Sequence, residues 1–320
     1  MRRLIDFPGL AGPLPYKGRV PADLAIERKD CRFTLMKTPK RIEPLIEEGL
    51  VDEVLRPLMS GKEAAVYVVR CGDELRCAKV YKEASKRSFR QAIEYQEGRK
   101  VRNSRDARAM AKGSKYGRRE REEAWQNAEV AALFRLANAG VRVPKPYDFL
   151  DGVLLMEMID DGEGNAAPRL NDVELHPDDA REFHAFMIRE IVKMLCAGLV
   201  HGDLSEFNVL LGPEGPVIID LPQAVDAAGN NHAFRLLERD VCNMAEYFGQ
   251  FAPELRYTRY AKEMWALYEA GELTPDSVLT GQFAETEDAA DIESVMREIK
   301  AALAEQERRE AAQRTEDESA

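Results

Sequence analysis

His201-Gly202-Asp203-Leu204-Ser205-Glu206-Phe207-Asn208, followed by Val217-Ile218-Ile219-Asp220, decides how the rest of the 320-residue chain is read. Two apolar runs, Val209–Leu211 and Val217–Ile219, flank Gly212-Pro213-Glu214-Gly215 and predict a β-hairpin. A hairpin returns the chain to its start, so Asp220 is expected beside Asn208. An amide oxygen and a carboxylate placed together can hold Mg²⁺, a hard cation that takes oxygen ligands. A second carboxylate kept off the metal can orient an attacking hydroxyl and accept its proton. Asp203 is therefore expected as a base, and Asn208 and Asp220 as metal ligands. A polar turn between two strands is the plain alternative.

Upstream residues fit the same chemistry. Lys79 lies in the apolar run Arg76-Cys77-Ala78-Lys79-Val80. A lysine facing inward there needs an anion. Phosphates and Glu129 would supply one, since Glu129 falls within a helix expected from about Arg118 to Asn138; Glu122 and Glu123 are alternative partners. Ser60-Gly61-Lys62-Glu63-Ala64 offers one glycine rather than a glycine-rich repeat. It reads as a hairpin turn whose backbone N–H groups can cradle phosphate oxygens. With these partners in place, the spacing of Asp203 and Asn208 matches the catalytic loop of kinases.

The order of elements agrees. Val54–Met59, Ala65–Val69 and Leu75–Val80 predict an antiparallel meander, and Val153–Met158 a further strand. Asp178 and Asp179 are expected to cap a helix that runs to about Cys196. Phe183, Phe186, Ile191, Met194, Leu195 and Leu199 mark its inner face, with Glu190 as the odd member. Phe234, Leu237, Val241, Met244 and Phe248 line another helix, and Ile292, Val295, Met296, Ile299 and Leu303 a last one. The fold class read from this is α+β, a two-lobed protein-kinase-like fold with a small antiparallel-sheet lobe and a mainly helical lobe. The expected divisions are an irregular, proline-rich arm over 1–50, a small lobe over 51–159 with a basic insert at 81–122, a large lobe over 160–280, and a C-terminal helix with an acidic tail over 281–320. No conventional activation segment is present. Asp220 is followed by Leu221-Pro222-Gln223-Ala224-Val225-Asp226 rather than Asp-Phe-Gly. The stretch up to the helix near Ala233 holds neither Ala-Pro-Glu nor any Ser, Thr or Tyr.

The net charge of −11 argues against a generic nucleic-acid binder, yet charge is unevenly spread. From Lys79 to Glu122 there are 15 Lys and Arg against 6 Asp and Glu; from Glu285 to Ala320 there are 5 against 12. Cys31, Cys71, Cys77, Cys196 and Cys242 form no CxxC pair, which fits a reducing compartment. The chain starts Met1-Arg2-Arg3-Leu4 without the apolar core of a signal peptide, and no run is long enough to span a membrane. A cytoplasmic location is the expectation.

Seven segments together resemble the RIO family of atypical serine protein kinases. They are Ser60–Ala64, Ala78–Lys82, Val143–Pro146, Leu154–Ile159, His201–Asn208, Ile219–Val225 and Leu237–Val241. The match covers about residues 52–250 and is similar to the type-1 branch, the first 50 residues being too short and proline-rich for the winged-helix domain of type 2. The resemblance implies use of ATP and Mg²⁺, and serine autophosphorylation. It implies a base pocket with adenine bonded to the backbone at Glu157 and Ile159 beside a Met156 gatekeeper. It implies that Asp220 also accepts phosphate as an aspartyl intermediate. Eukaryotic and archaeal members act in small-ribosomal-subunit maturation. Gly202 stands where many members have Ala, the basic insert is long for the family's linker, and these features with the acidic tail suggest a bacterial-type member.

Two other readings compete. One is a small-molecule phosphotransferase similar to aminoglycoside or choline kinases, which share His-Gly-Asp and the later Ile-Asp. Ser60–Ala64 and Asp220–Asp226 speak against it. The other is an ATP-switched ribosome assembly factor. It would bind the ribosomal subunit or rRNA through the basic insert, where Lys and Arg meet phosphates and Phe89, Tyr95 and Tyr116 offer limited base stacking. Ser85, Ser88, Ser104 and Ser114 in the insert are the expected autophosphorylation sites.

Overall fold

Alternating apolar residues in the first half of the chain build a sheet with two differently used faces. The computed structural model describes residues 38–61, 64–82 and 115–283. Lys62, Glu63, the four insert serines, the first 37 residues and the acidic tail with the helix expected before it lie outside the described residues. By contacts, Met1–Thr280 forms one compact unit and Gly281–Ala320 a second.

Strands β1 (Glu53–Ser60), β2 (Ala64–Cys71), β3 (Glu74–Tyr81), β4 (Pro146–Leu150) and β5 (Val153–Glu157) form one antiparallel sheet in the order β1-β2-β3-β5-β4. The meander and β5 match the expected strands; β4 is an addition. Register places Val66 opposite Lys79 and Lys79 opposite Leu154, and Val68 opposite Cys77 and Cys77 opposite Met156. Because side chains alternate along a strand, Lys79 and Cys77 share a face. Val66, Val68, Cys77 and Met158 form a small apolar cluster there. The other face, with Val69, Ala78, Val80, Val153 and Leu155, is covered by Ile42, Leu45 and Val51 from helix α1 (Glu43–Glu47) and its flanks. Arg41 ties this cover down by donating to Tyr81 O at 2.9 Å.

Helix α2 (Lys115–Asn138) crosses to the sheet and stops at Gly140, whose φ of +74° suits glycine. Gly140 N–H bonds Ala137 O and Val141 N–H bonds Leu136 O, a Schellman closure. The chain beyond it is therefore aimed with little freedom.

The large lobe packs helices α3 (Pro177–Cys196), α4 (Ala233–Phe248) and α5 (Tyr260–Glu269) around Met187, Leu195, Met244 and Phe248. Between α3 and α4 lie the short ladder β6 (Leu199–Val200) with β9 (Val225–Asp226) and the hairpin β7 (Val209–Gly212) with β8 (Gly215–Ile218). The cap of α3 is His176, not the expected Asp178 or Asp179. Its Nδ1 accepts from Asp178 N–H at 3.3 Å, and Pro177 takes the first helical position. The two aspartates sit in the first turn, where they favour the helix dipole. Leu199, expected on the helix face, belongs to β6, because Gly198 (φ +73°) ends α3 first.

His184 of α3 is 1% exposed, with its ring centroid 5.8 Å from Phe248 and 5.7 Å from Tyr260. Its Nε2 has no hydrogen-bond partner among the described residues. Burial pushes its pKa down from 6.5 to about 4. Between those values the unfolded chain binds a proton that the folded chain refuses, so stability falls as pH drops through that window. Denaturant unfolding at pH 7 and pH 4.5 should show wild type losing roughly 2–3 kcal/mol more than His184→Leu. Equal losses would mean that His184 is not held neutral.

Candidate active site

Lys79 on β3 cannot stay charged in an apolar sheet without carboxylates, and the fold brings it two. Its Nζ lies 2.5 Å from Glu129 Oε1 of α2 and 3.5 Å from Asp220 Oδ1, just past β8. Burial works against the ammonium, but Glu129 and then Asp220 outweigh it and hold its pKa above the usual lysine value. Glu129 is 4% exposed, and its Oε2 has no partner among the described residues. Lys79 thus joins a helix of the small lobe to the end of a large-lobe hairpin.

The hairpin behaves as its sequence requires. Val209 pairs with Ile218, and Ile219 N–H bonds Asn208 O at 2.9 Å, so Asp220 emerges next to Asn208. Asp220 adopts a φ of +66°, rare for a residue with a side chain but tolerated best by Asp and Asn. This turn of the backbone goes with the approach of its carboxylate to Lys79. Asn208 Nδ2 donates to Asp203 O at 2.8 Å. Buried His201 accepts from Asp203 N–H on Nδ1 at 3.3 Å, so its proton sits on Nε2, 3.1 Å from Ile219 O. Burial lowers its pKa and keeps the ring neutral in that role. One histidine therefore couples the Asp203 loop to the strand that carries Asp220.

Asp240, within Leu237–Val241, carries no role in the sequence pattern. It is 2% exposed. Its Oδ2 accepts from Gly202 N–H at 2.7 Å and its Oδ1 from Leu204 N–H at 2.9 Å, bracketing Asp203. Arg239 donates to Gly202 O, and Asn243 donates to Leu204 O at 2.8 Å. Burial pushes the Asp240 carboxyl up to about 7, against the two N–H groups that favour its charge. An aspartate on the apolar stripe of Leu237, Val241 and Met244 was the signal that would have found it. Gly202 has a φ of +80°, so glycine suits this position better than Ala.

The other expected residues are arranged as follows. Ser60 Oγ and Gly61 O accept from Lys82, and Gly61 N–H is taken by Ala64 O at 2.9 Å, which leaves it unable to face a phosphate. Met156 packs against the Cys77 cluster. The Glu157 carboxylate accepts two bonds from Arg142, at 2.8 and 3.0 Å, and its N–H bonds Lys145 O. Ile159 O accepts from Ala167, and Ile159 N–H makes no hydrogen bond among the described residues. Ile159 also packs with Ala167, Leu210 and Val217 as a second apolar cluster.

Comparison with known proteins agrees with this geometry. The family model for the RIO domain matches residues 65–261. The chain belongs to the RIO family. It is similar to the RIO-type serine/threonine-protein kinase Rio1 of Haloferax volcanii, 38% identical over 210 residues that cover 65% of this chain and 67% of that protein. It resembles the Methanocaldococcus jannaschii Rio1 at 32% identity, over 68% of each chain. The human serine/threonine-protein kinase RIO1 is 32% identical over 64% of this chain but only 34% of its own length. The RIO match spans all the residues just described except Ser60, Gly61 and Ala64.

Breaking a buried pair leaves its partner uncompensated, whereas replacing both members by apolar groups does not. Lys79→Met should lower unfolding stability by about 3–5 kcal/mol, and Lys79→Met/Glu129→Leu should recover most of that loss. Additive effects in this double-mutant cycle would contradict the coupling.

Proposed function

We propose that the chain is an ATP-dependent serine kinase of RIO type that uses Mg²⁺ and modifies itself or a protein partner. The observation that carries this reading is the position of Lys79 between Glu129 and Asp220, with Asn208 tied to the Asp220 strand by Ile219 N–H and Asp203 tied to the side chains of Asn208 and His201.

Lys79 presents a fixed positive charge to the phosphates, and Glu129 keeps it pointed. The adenine would lie between the apolar clusters of Cys77 and of Leu210, with the Ile159 N–H as a ready donor. Among the described residues no group of three or more His, Cys, Asp or Glu forms a metal cluster. Asn208 and Asp220 still fit Mg²⁺, which keeps several waters and takes one or two protein oxygens with the phosphates. The Asn208 amide nitrogen is occupied by Asp203 O, so its oxygen is the end left for a cation. When bound, the ion neutralises charge on the triphosphate. Asp203 has its backbone fixed by His201 and Asn208, and its carboxylate orients the acceptor hydroxyl and takes its proton.

The stretch after Asp220 supports self-modification over service to free peptides. Ala224 N–H turns back to Leu221 O, and Val225–Asp226 pairs with β6, so little chain remains to hold a peptide. A role on the ribosomal subunit, through phosphate contacts of the basic insert, is part of the proposal. A cytoplasmic setting suits the four described cysteines, all unpaired, and no helix among the described residues is long and apolar enough to cross a membrane.

Asp203→Asn should reduce phosphate transfer by about 10²–10⁴-fold while Mg-ATP still binds. The assay is incubation with Mg-ATP followed by mass spectrometry of the protein and of a generic peptide. Near-normal transfer by the variant would remove Asp203 from the role of base. Efficient labelling of the peptide, and none of the insert, would favour an ordinary kinase.

A further inference from the structure

Arg142 sits where the small lobe meets the large one, and its guanidinium, N–H and carbonyl each bond a different element. Its guanidinium grips Glu157, the last residue of β5, through a two-bond fork of 2.8 and 3.0 Å. Its N–H donates to Glu190 Oε2 of α3 at 2.6 Å. Its carbonyl accepts from Ile218 N–H of β8 at 3.0 Å. Glu190, the odd member of the apolar face of α3, is 2% exposed and also pairs with Lys193 at 2.7 Å. Lys145 N–H adds a third bond to Glu157 at 3.0 Å. Burial alone would raise the pKa of the Glu157 carboxyl, yet the bonds from Arg142 and Lys145 hold it below the usual carboxylate range.

We infer that Arg142 is a positioning residue that sets the base-binding segment after β5 in register with the strand that carries Asp220. This rests on the nucleotide site proposed above. Ile218, which bonds the Arg142 carbonyl, is two residues from Asp220. Glu157, which its side chain grips, is two residues from Ile159. One residue thus fixes both ends of the nucleotide site: base contacts at one end and phosphate contacts at the other. The Schellman closure at Gly140 delivers Arg142 to this position, and buried Glu190 locks its backbone. Removing the guanidinium leaves both backbone bonds in place and frees only the hinge side. A planar fork is needed for this, which Lys does not provide. The pair is about 30% exposed on each side, so its effect on overall stability is small and its effect on geometry is the one to measure.

The test uses the full chain and two nucleotides, Mg-ATP and Mg-ITP. Inosine carries an oxygen where adenine carries its amino group and a proton on the ring nitrogen beside it, so ITP reverses the donor and acceptor that adenine presents to the hinge backbone. Wild type should prefer ATP. Arg142→Gln and Glu157→Gln should each cut that preference about tenfold, the loss expected for one well-aimed hydrogen bond, by weakening ATP and leaving ITP unchanged. The exchanged pair Arg142→Glu/Glu157→Arg should restore part of the preference. Should Arg142→Gln fail to fold, Glu157→Gln carries the test, since it keeps an acceptor for Lys145. An unchanged preference in the single variants, or equal weakening of both nucleotides, overturns the positioning role and leaves the nucleotide site standing. A wild type that binds neither nucleotide overturns the proposed function itself, and this inference with it.

Discussion

A buried ammonium needs counter-charge, and the structure is arranged around meeting that need at Lys79. Taking the group out of water costs several kcal/mol unless carboxylates surround it. The first carboxylate comes from Glu129, which requires α2 to lie against the sheet at one angle. The second comes from Asp220, which requires the β7–β8 hairpin to close under the sheet and its last residue to turn into positive φ. The Lys79 ammonium therefore ties the small lobe to the large one at the site. In the function we propose, this fixed positive charge is the one that meets a phosphate chain.

The loop around Asp203 obeys a related rule. It is irregular backbone at the centre of the molecule, where unpaired N–H and C=O groups are costly. Asp240, Arg239, Asn243 and His201 satisfy those groups one by one. None of these side chains needs to meet a substrate, yet each restricts where the Asp203 carboxylate can go. Satisfied networks of this kind are rigid, and partly satisfied ones are weak points.

Much of this was legible in the sequence because the signals are local. Val209–Leu211, Gly212–Gly215 and Val217–Ile219 specify a hairpin, and a hairpin alone places Asp220 beside Asn208. Alternation along Arg76–Val80 places Lys79 and Cys77 on one face. The missed features depend on distant partners. No strand was expected over Pro146–Leu150, yet Pro146 opens β4, an edge strand where a missing N–H is harmless. His176 caps the helix in place of Asp178 because Pro177 at the first helical position puts the cap two residues earlier. Glu190 interrupts the apolar face of its helix, and Asp240 lies on another apolar stripe without a role in the pattern. Their partners, the Gly202 and Leu204 amides and the Arg142 amide, lie 36 to 48 residues away, beyond any periodic pattern. A charged residue on an otherwise apolar helix face is the trace such an arrangement leaves.

The central claim is that the charge of Lys79, held by Glu129 and Asp220, forms the phosphate end of a nucleotide site. Calorimetric titration of Mg-ATP into wild type and into Lys79→Met tests it directly. Binding to wild type should be one-to-one, require the divalent ion and be weakened at least about tenfold in the variant; equal binding by both proteins would take Lys79 out of the phosphate end.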